Sequence, residues 1–458
     1  MKKHTIYSYL LGATLVASVS SCNLLNTDAT VDPNNLSVAG FVNNPTRGQV
    51  GLLATGVLAA MRNGIQDMTQ SSGAVGREVI YSASTDNRYF TELLGTAAAN
   101  YGGATDPNGI FNAYFAAFSA TRRRAEAFDL ACQTSTSLSA AEKAAVRGFV
   151  RTVQAYAMLN LLNMQGDNGI RSGYTDLNSP GDQLKPLKFT DYTGGLDLVI
   201  QVANEGSTAL DQGGSAFPFA FTSGWTGFTA PADMKKFNRA IAARTFMYKK
   251  DWANMNTAVG QSFLSLTGSL AVGPKFNFAN AQNDATNGFF QNPDGNGAPL
   301  VLFNDVIAEA EAGDLRVANK TRRRTTVRSS GGIPSTHELK IYASNAAPID
   351  IIRNEELVLM YAEARAQTGD LAEATKAINV IRTAAGLKAY AGAATQAALV
   401  DEVLKQRRYS LLFEGHRWFD VRRYGRLAAL PFSAPPYKVF DKMVRPNAET
   451  QWELANPQ

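Results

Sequence analysis

The sequence holds two cysteines and three histidines among 458 residues. Two cysteines exclude a disulfide scaffold and a zinc ribbon, and three histidines leave little material for imidazole-based catalysis. Charge is sparse at 18% of positions, and its signs nearly cancel at 44 basic against 39 acidic residues. The basic excess of a nucleic-acid binder is therefore missing. No Gly-x-x-x-x-Gly-Lys loop, His-Glu-x-x-His or Cys-x-x-Cys occurs, so no phosphate-binding or metal motif of these kinds is implied. No apolar run of bilayer length follows Cys22. What the chain does have is 45% hydrophobic residues, enough for a large core and incompatible with global disorder.

The N-terminus reads as an export signal. Lys2 and Lys3 precede an apolar run from Ile6 to Val19 that ends in Val19-Ser20-Ser21-Cys22. That run falls short of the roughly 20 apolar residues of a spanning helix, and small residues before a cleavage point fit signal processing. The Val-Ser-Ser-Cys end resembles the lipobox of bacterial lipoproteins. The resemblance implies a signal peptide over 1–21, acylation of Cys22 and a lipidated tether over 22–44. Several acyl chains would hold the chain at a membrane surface without spanning it. Loss of residues 1–21 removes Lys2 and Lys3 and lowers the net charge from +5 to +3. Cys132 is then expected to be a buried apolar residue.

Beyond the tether, helical periodicity dominates. Ser139 and Glu142 have capping-box spacing, and Val146, Phe149, Val150, Val153, Ala157 and Leu161 recur at three and four, predicting a long helix ending near Gly166. A second pair is predicted over Lys235–Lys250 and from Asp251 to about Leu266. A third pair carries Leu357, Tyr361 and Ala364, turns at Thr368-Gly369, and restarts with Asp370 as cap and Glu373 three residues on. Leu371, Ala374, Ile378, Ile381 and Ala385 then precede Gly386. Each pair resembles a tetratricopeptide unit, two helices of about 34 residues that stack to bury their faces. The predicted fold is mostly all-α. Tetratricopeptide-like pairs form a right-handed superhelical scaffold over about 139–270 and 350–426, within one domain over 45–458. Loop-rich, ligand-facing insertions are expected at about 80–105, 213–233 and 273–347, with a few short strands such as Leu300–Phe303 and Leu339–Tyr342. The Thr-Arg-Arg-Arg runs at 121–124 and 321–324 read as solvated faces or internal pairs. Asp294-Gly295-Asn296-Gly297 lacks the glutamate of a calcium loop and reads as a turn.

The most specific segment is Phe413-Glu414-Gly415-His416-Arg417-Trp418-Phe419-Asp420-Val421-Arg422-Arg423. With Glu363, with Asn379 and Arg382, and with Arg407, it resembles the SusD/RagB family of outer-membrane lipoproteins from Bacteroidetes-type bacteria. The resemblance runs from about Cys22 to Arg426 and includes a weaker match at Phe237–Arg244. Gln406 and Ser410 depart from it, standing where the family usually has glutamates, and the tail from Phe440 matches loosely. Glu414 and Asp420 could suggest the two acids of a glycosidase. Arginines this close favour ionised acids locked into bidentate pairs, whereas a general acid needs a raised pKa. These residues and Trp418 are therefore read as a structural lock. His416 is read as structural, and His337 has no triad around it.

The family resemblance implies a non-catalytic nutrient-binding lipoprotein, exposed at the outer-membrane surface. It would capture an oligosaccharide or a peptide and pass it to a SusC-like TonB-dependent transporter, with no cofactor. A lipid-anchored helical-repeat adaptor that binds only protein is the other open reading. Family ligand residues lie on variable loops, so candidates here come from composition, because sugars stack their CH faces on aromatic rings and hydrogen-bond to amides and guanidiniums. They are Tyr81, Asn87, Arg88, Tyr89 and Phe90 with Asn100 and Tyr101, then Trp225 with Phe228, and Phe289 with Phe290. Trp225→Ala and Tyr101→Ala are expected to weaken binding without unfolding.

Overall fold

The computed structural model describes residues 43–83, 85–173, 186–282, 284–297 and 299–457. The signal peptide, Cys22 and nearly all of the tether lie outside the described residues. The described residues begin with α1 (Arg47–Met61), α2 (Ile65–Val75), β1 (Val79–Tyr81) and the short α3 (Arg88–Thr91). A helical run follows, comprising α4 (Ala113–Thr134), α5 (Ala140–Gln165), α6 (Tyr192–Asp211), α7 (Pro231–Lys249) and α8 (Trp252–Gly260). The middle of the chain holds β2 (Lys275–Phe276), β3 (Leu300–Leu302), α9 (Asn304–Ala308), α10 (Leu315–Lys320), β4 (Thr321–Ser330), β5 (Ile333–Leu339) and β6 (Ile349–Asp350). Helices α11 (Asn354–Gln367), α12 (Leu371–Ala384), α13 (Gln396–Ser410), α14 (Arg417–Arg423) and α15 (Asn447–Ala455) complete it.

Local signals set the helix ends. The Ser139 side chain accepts from the Glu142 amide while Glu142 reaches back, and Gly166 stops α5 with φ +53°. Asp370 caps α12 by accepting from the Glu373 amide at 3.3 Å. The helices then stack in succession as helical hairpins: α1 on α4, α4 on α5, α5 on α6, α6 on α7, α7 on α8, α8 on α11, and α11 on α12 and α13. At the α5/α6 contact three glycines let the backbones approach. A Cβ at Gly148 would lie 2.5 Å from Leu210 Cγ, one at Gly195 2.7 Å from Leu162 Cδ1, and one at Gly206 3.0 Å from Arg151 Cβ. The main core runs from Val50 to Met443, and α11–α13 enclose a second, smaller cluster around Val358, Ile378, Leu399 and Val403. Cys132 is fully buried in the main core.

Several sequence expectations need correction. Helical scaffold begins at α1, well before residue 139, because α4 carries the apolar face that covers α5. The helix expected to reach Leu266 ends at Gly260, where the Ser262 hydroxyl donates to the Val259 carbonyl at 2.6 Å and turns the chain. The 273–347 insertion contributes β3, β4 and β5 to an antiparallel sheet in the order β1-β3-β5-β4, whose β1 comes from near the start of the described residues. In that sheet Thr321-Arg-Arg-Arg324 opens edge strand β4, and of the two readings offered for the run, internal pairing holds for two of its arginines. Arg322 and Arg324 both pair with Glu338, which is fully buried, while Arg323 points outward. Strand β5 ends at Leu339, so the strand expected over Leu339–Tyr342 lies earlier in the chain. The run at 121–124 lies on α4. Asp294 forms a turn, accepting from the Thr325 amide at 2.9 Å. Among the described residues no helix is long and apolar enough to cross a membrane.

Two glycine substitutions separate packing from propensity. Gly148→Val should destabilise by about 1–3 kcal/mol through overpacking against Leu210. Gly56→Ala, whose added Cβ meets nothing within 4 Å, should stabilise by roughly 0.5–1 kcal/mol through helix propensity. Urea midpoints at unchanged slope check both.

Candidate functional site

The C-terminal block is a lattice of buried ion pairs. Asp420, on the first turn of α14, accepts from Arg407 Nε of α13 at 2.7 Å and from Arg423 Nε at 3.0 Å. Arg423 also forks onto Glu363 of α11, through Nη1 to Oε1 and through Nη2 to Oε2 at 2.7 Å. Glu414 is held by Arg353 and, at 3.3 Å, by Lys320. Arg382 binds Glu311 at 2.7 Å and Glu402 at 2.5 Å, and Asn379 Oδ1 accepts from the Tyr390 amide at 2.7 Å. The Arg417 guanidinium acts electrostatically on buried Glu78. Trp418 is fully buried and donates its indole N–H to the Phe440 carbonyl at 2.7 Å. Where glutamates were expected, neutral Gln406 Oε1 and Ser410 Oγ accept from Arg316 at 2.7 and 2.9 Å.

Burial opposes ionisation of Glu414 and Asp420, but Arg353 beside the first and Arg407 beside the second outweigh it and hold both carboxyls down at about 2. Neither can serve as a general acid near neutrality, so the pair is structural. Burial first, opposed by Glu356 and aided by the Arg244 and Arg407 guanidiniums, pushes His416 down to about 4.

The first aromatic cluster is assembled on the loop between β1 and α4. Tyr81 and Tyr89 meet edge to face with centroids 4.4 Å apart, and Tyr89 meets Phe111 at 5.6 Å. Phe90 lies under the β4–β5 turn, where a Cβ at Gly331 would approach its ring to 3.0 Å. Asn87, Arg88 and Asn100 are exposed, while Tyr81, Tyr89, Phe90 and Tyr101 are half-buried. Arg88 forks onto Asp86, and Asp106 beside the Tyr101 hydroxyl pushes that phenol up. Behind the rings lies Glu92, 3% exposed, with neither carboxyl oxygen hydrogen-bonded among the described residues. Burial, then the charge of Asp106, pushes it up to about 7.

This loop is pinned from below. Arg77, 1% exposed, donates to the carbonyls of Ala74, Leu93 and Leu94 on one side and of Pro431, Phe432 and Lys438 on the other, at 3.0 to 3.3 Å. Tyr437 donates to the Gly331 carbonyl at 3.2 Å and Arg328 to Ser82 Oγ at 2.8 Å. The sequence reading missed Arg77, Glu92, Asp106 and Tyr437, since nothing local marks an isolated polar residue as a partner of a chain segment hundreds of positions away.

Residues 318–455 match the model of the SusD family. A SusD superfamily protein from Bacteroides vulgatus superposes with a TM-score of 0.64 at 14% identity, covering 88% of this chain and 96% of that one. The fold is SusD-like. Surface glycan-binding protein A from Bacteroides thetaiotaomicron, in complex with laminarihexaose, superposes at 0.68 with 12% identity over 89% of this chain and 98% of that one. The corresponding protein from Bacteroides fluxus gives 0.63 at 14% identity, over 88% and 96%. Comparison with curated proteins by sequence gives no match.

In this SusD-like fold the other aromatic candidates are placed differently from the sequence reading. Trp225 and Phe228 are 2% and 4% exposed. Trp225 packs on Phe221 and Phe237, and Phe228 on Phe263. Phe217, Phe219 and Phe221 strap the same segment onto Phe149, so residues 213–233 bury their rings against α5 rather than display them. Phe289 is likewise buried, between Tyr342 and Phe413, while Phe290 is half-buried. Among the three candidate clusters, the one at 81–101 alone joins several partly exposed rings to exposed amide and guanidinium groups.

The lock gives stability a pH dependence. Folding lowers the Glu414 and Asp420 pKa values, so the stability they supply is present above their unfolded values near 4 and is lost as pH falls toward 2. Buried neutral His416 adds a loss that sets in below about 6.5. Glu92 works in the opposite direction, its contribution fading as pH rises from about 4.5 through 7. Thermal midpoints across pH should therefore peak between these limits and fall steeply in acid. Asp420→Asn should cost about 3–5 kcal/mol, as it strips compensation from the buried charges of Arg407 and Arg423.

Proposed function

We propose that this SusD-like chain is a non-catalytic cell-surface binding protein that captures an oligosaccharide on the loop rings Tyr81, Tyr89 and Tyr101. The observation that carries the reading is the joining of these partly exposed rings to Asn87, Arg88 and Asn100. Ring faces can take the CH surfaces of pyranoses while amides and the guanidinium take hydroxyls. The fold shared with a surface glycan-binding protein that holds laminarihexaose supports a glucan-type ligand. In this reading Cys22 carries the lipid anchor at the outer membrane, and a SusC-like TonB-dependent transporter receives the ligand.

Calorimetry of the full mature chain against a glycan panel tests the binding step. Tyr101→Ala should weaken the best ligand by about tenfold, or 1.4 kcal/mol, with an unchanged thermal midpoint. Trp225→Ala should instead lower stability by about 3–5 kcal/mol as a core truncation. Absence of binding to any glycan at millimolar concentration would turn the reading toward a peptide or another nutrient.

A further inference from the structure

Where α2, α5, α7 and the 414–419 block converge, they enclose a small polar cavity of about 30 Å³. Its walls include Met68 of α2, Tyr156 and Asn160 of α5, Arg244 of α7, and His416 with Phe419 from the C-terminal block. Three of the polar side chains lining it are nine-tenths buried or more: Tyr156 is 2%, Asn160 7% and His416 7% exposed. Among the described residues Tyr156 Oη, Asn160 Nδ2 and His416 Nδ1 make no hydrogen bond of good geometry, although the Asn160 side chain is near enough to the Tyr156 phenol to act on it. Arg244 forks onto Glu356 at 2.7 and 2.6 Å, and His416 Nε2 lies 3.7 Å from Glu356 Oε2.

Buried polar groups are seldom left unpaired in a folded protein, and three such groups around one void are the condition under which water is retained. A cavity must offer roughly 10–15 Å³ to a water molecule, and the water needs two to four polar partners. Both requirements are met here. We propose that the cavity holds one structural water molecule that donates to His416 Nδ1, accepts from Asn160 Nδ2–H and completes its hydrogen bonds with Tyr156 Oη.

The assignment fixes the histidine tautomer. With Nε2 turned toward the Glu356 carboxylate, the single ring proton belongs on Nε2, and bare Nδ1 becomes the acceptor for the water. Burial keeps the ring neutral at pH 7. The acids and cations facing this ring include Glu356, Arg244, Arg407, Asp420 and Glu414. The water would then take the place of a direct contact between α5 of the helical stack and the Glu414–Phe419 block.

Two measurements on the full mature chain decide the matter. A high-resolution crystal structure should show one density peak within about 2.7–3.2 Å of all three atoms. In histidine-labelled protein, long-range 15N–1H correlation at pH 7 should show His416 protonated on Nε2 only. Its lines would be assigned by their loss in His416→Gln. Tyr156→Phe, which removes one partner and little volume, should shift the His416 Nδ1 resonance while leaving Nε2 in place. An empty cavity, a proton on Nδ1, or a peak ligated by Asn160 Oδ1 as a metal cation would each overturn the proposal.

Discussion

The structure depends on how it neutralises charge that it has buried. Helix α11 carries Glu356 and Glu363 into the interior, at 2% and 0% exposure, where an unpaired carboxylate would be prohibitively costly. Arg244 from α7 answers the first and Arg423 from α14 the second. Asp420 is shared between Arg407 and Arg423, and Arg353 ties Glu414 to the start of α11. Each pair joins a different helix to α11 or to the block beside it, so the fold cannot lose one element without stranding a charge. Buried pairs of this kind supply little net stability over an apolar core, but they admit only one arrangement of partners.

That single arrangement reaches the loop surface through the chain that follows the lock. The Trp418 N–H holds the Phe440 carbonyl, and Met443 N–H donates to the Met164 carbonyl at 2.8 Å. Residues 431–438 are thereby led beneath the 82–112 loop, where Arg77 gathers carbonyls from both. Lys438 N–H donates to the Leu94 carbonyl at 2.9 Å, and a Cβ at Gly95 would lie 2.5 Å from Lys438 O. The loop is thus a tightly backed platform. Its rings sit on a surface whose geometry is set by residues more than three hundred positions away.

Legibility followed the range of the interactions involved. Helix α5 could be read from Ser139, Glu142, the three-and-four spacing and Gly166, because caps and periodicity are local. Strand β4 could not. Its arginines read equally as solvated or internally paired until Glu338 of the neighbouring strand is in place, and nothing local names that carboxylate as the partner of two of them. The lock was visible as a charge-dense segment beside Trp418 and Phe419, but Arg353 and Arg316, which complete it, carry no mark in sequence, and Arg244 only closes the weaker match at Phe237–Arg244. For the aromatics, flanking Gly, Asn and Thr described the loops correctly and said nothing about which way a ring turns.

The sequence by itself determined the helical character, the positions of the main helical hairpins, the scarcity of catalytic and metal-binding groups, and the segment with SusD-like character. These follow from composition, from backbone capping and from short-range spacing. Tertiary structure alone decided that Trp225, Phe228 and Phe289 belong to the core while Tyr81, Tyr89 and Tyr101 remain partly open. An aromatic side chain gains by burial wherever a complementary apolar surface exists. For Trp225 that surface is Phe221 with Phe237, brought to it by folding; the rim of the 81–101 loop receives no such cover from the elements packed beneath it.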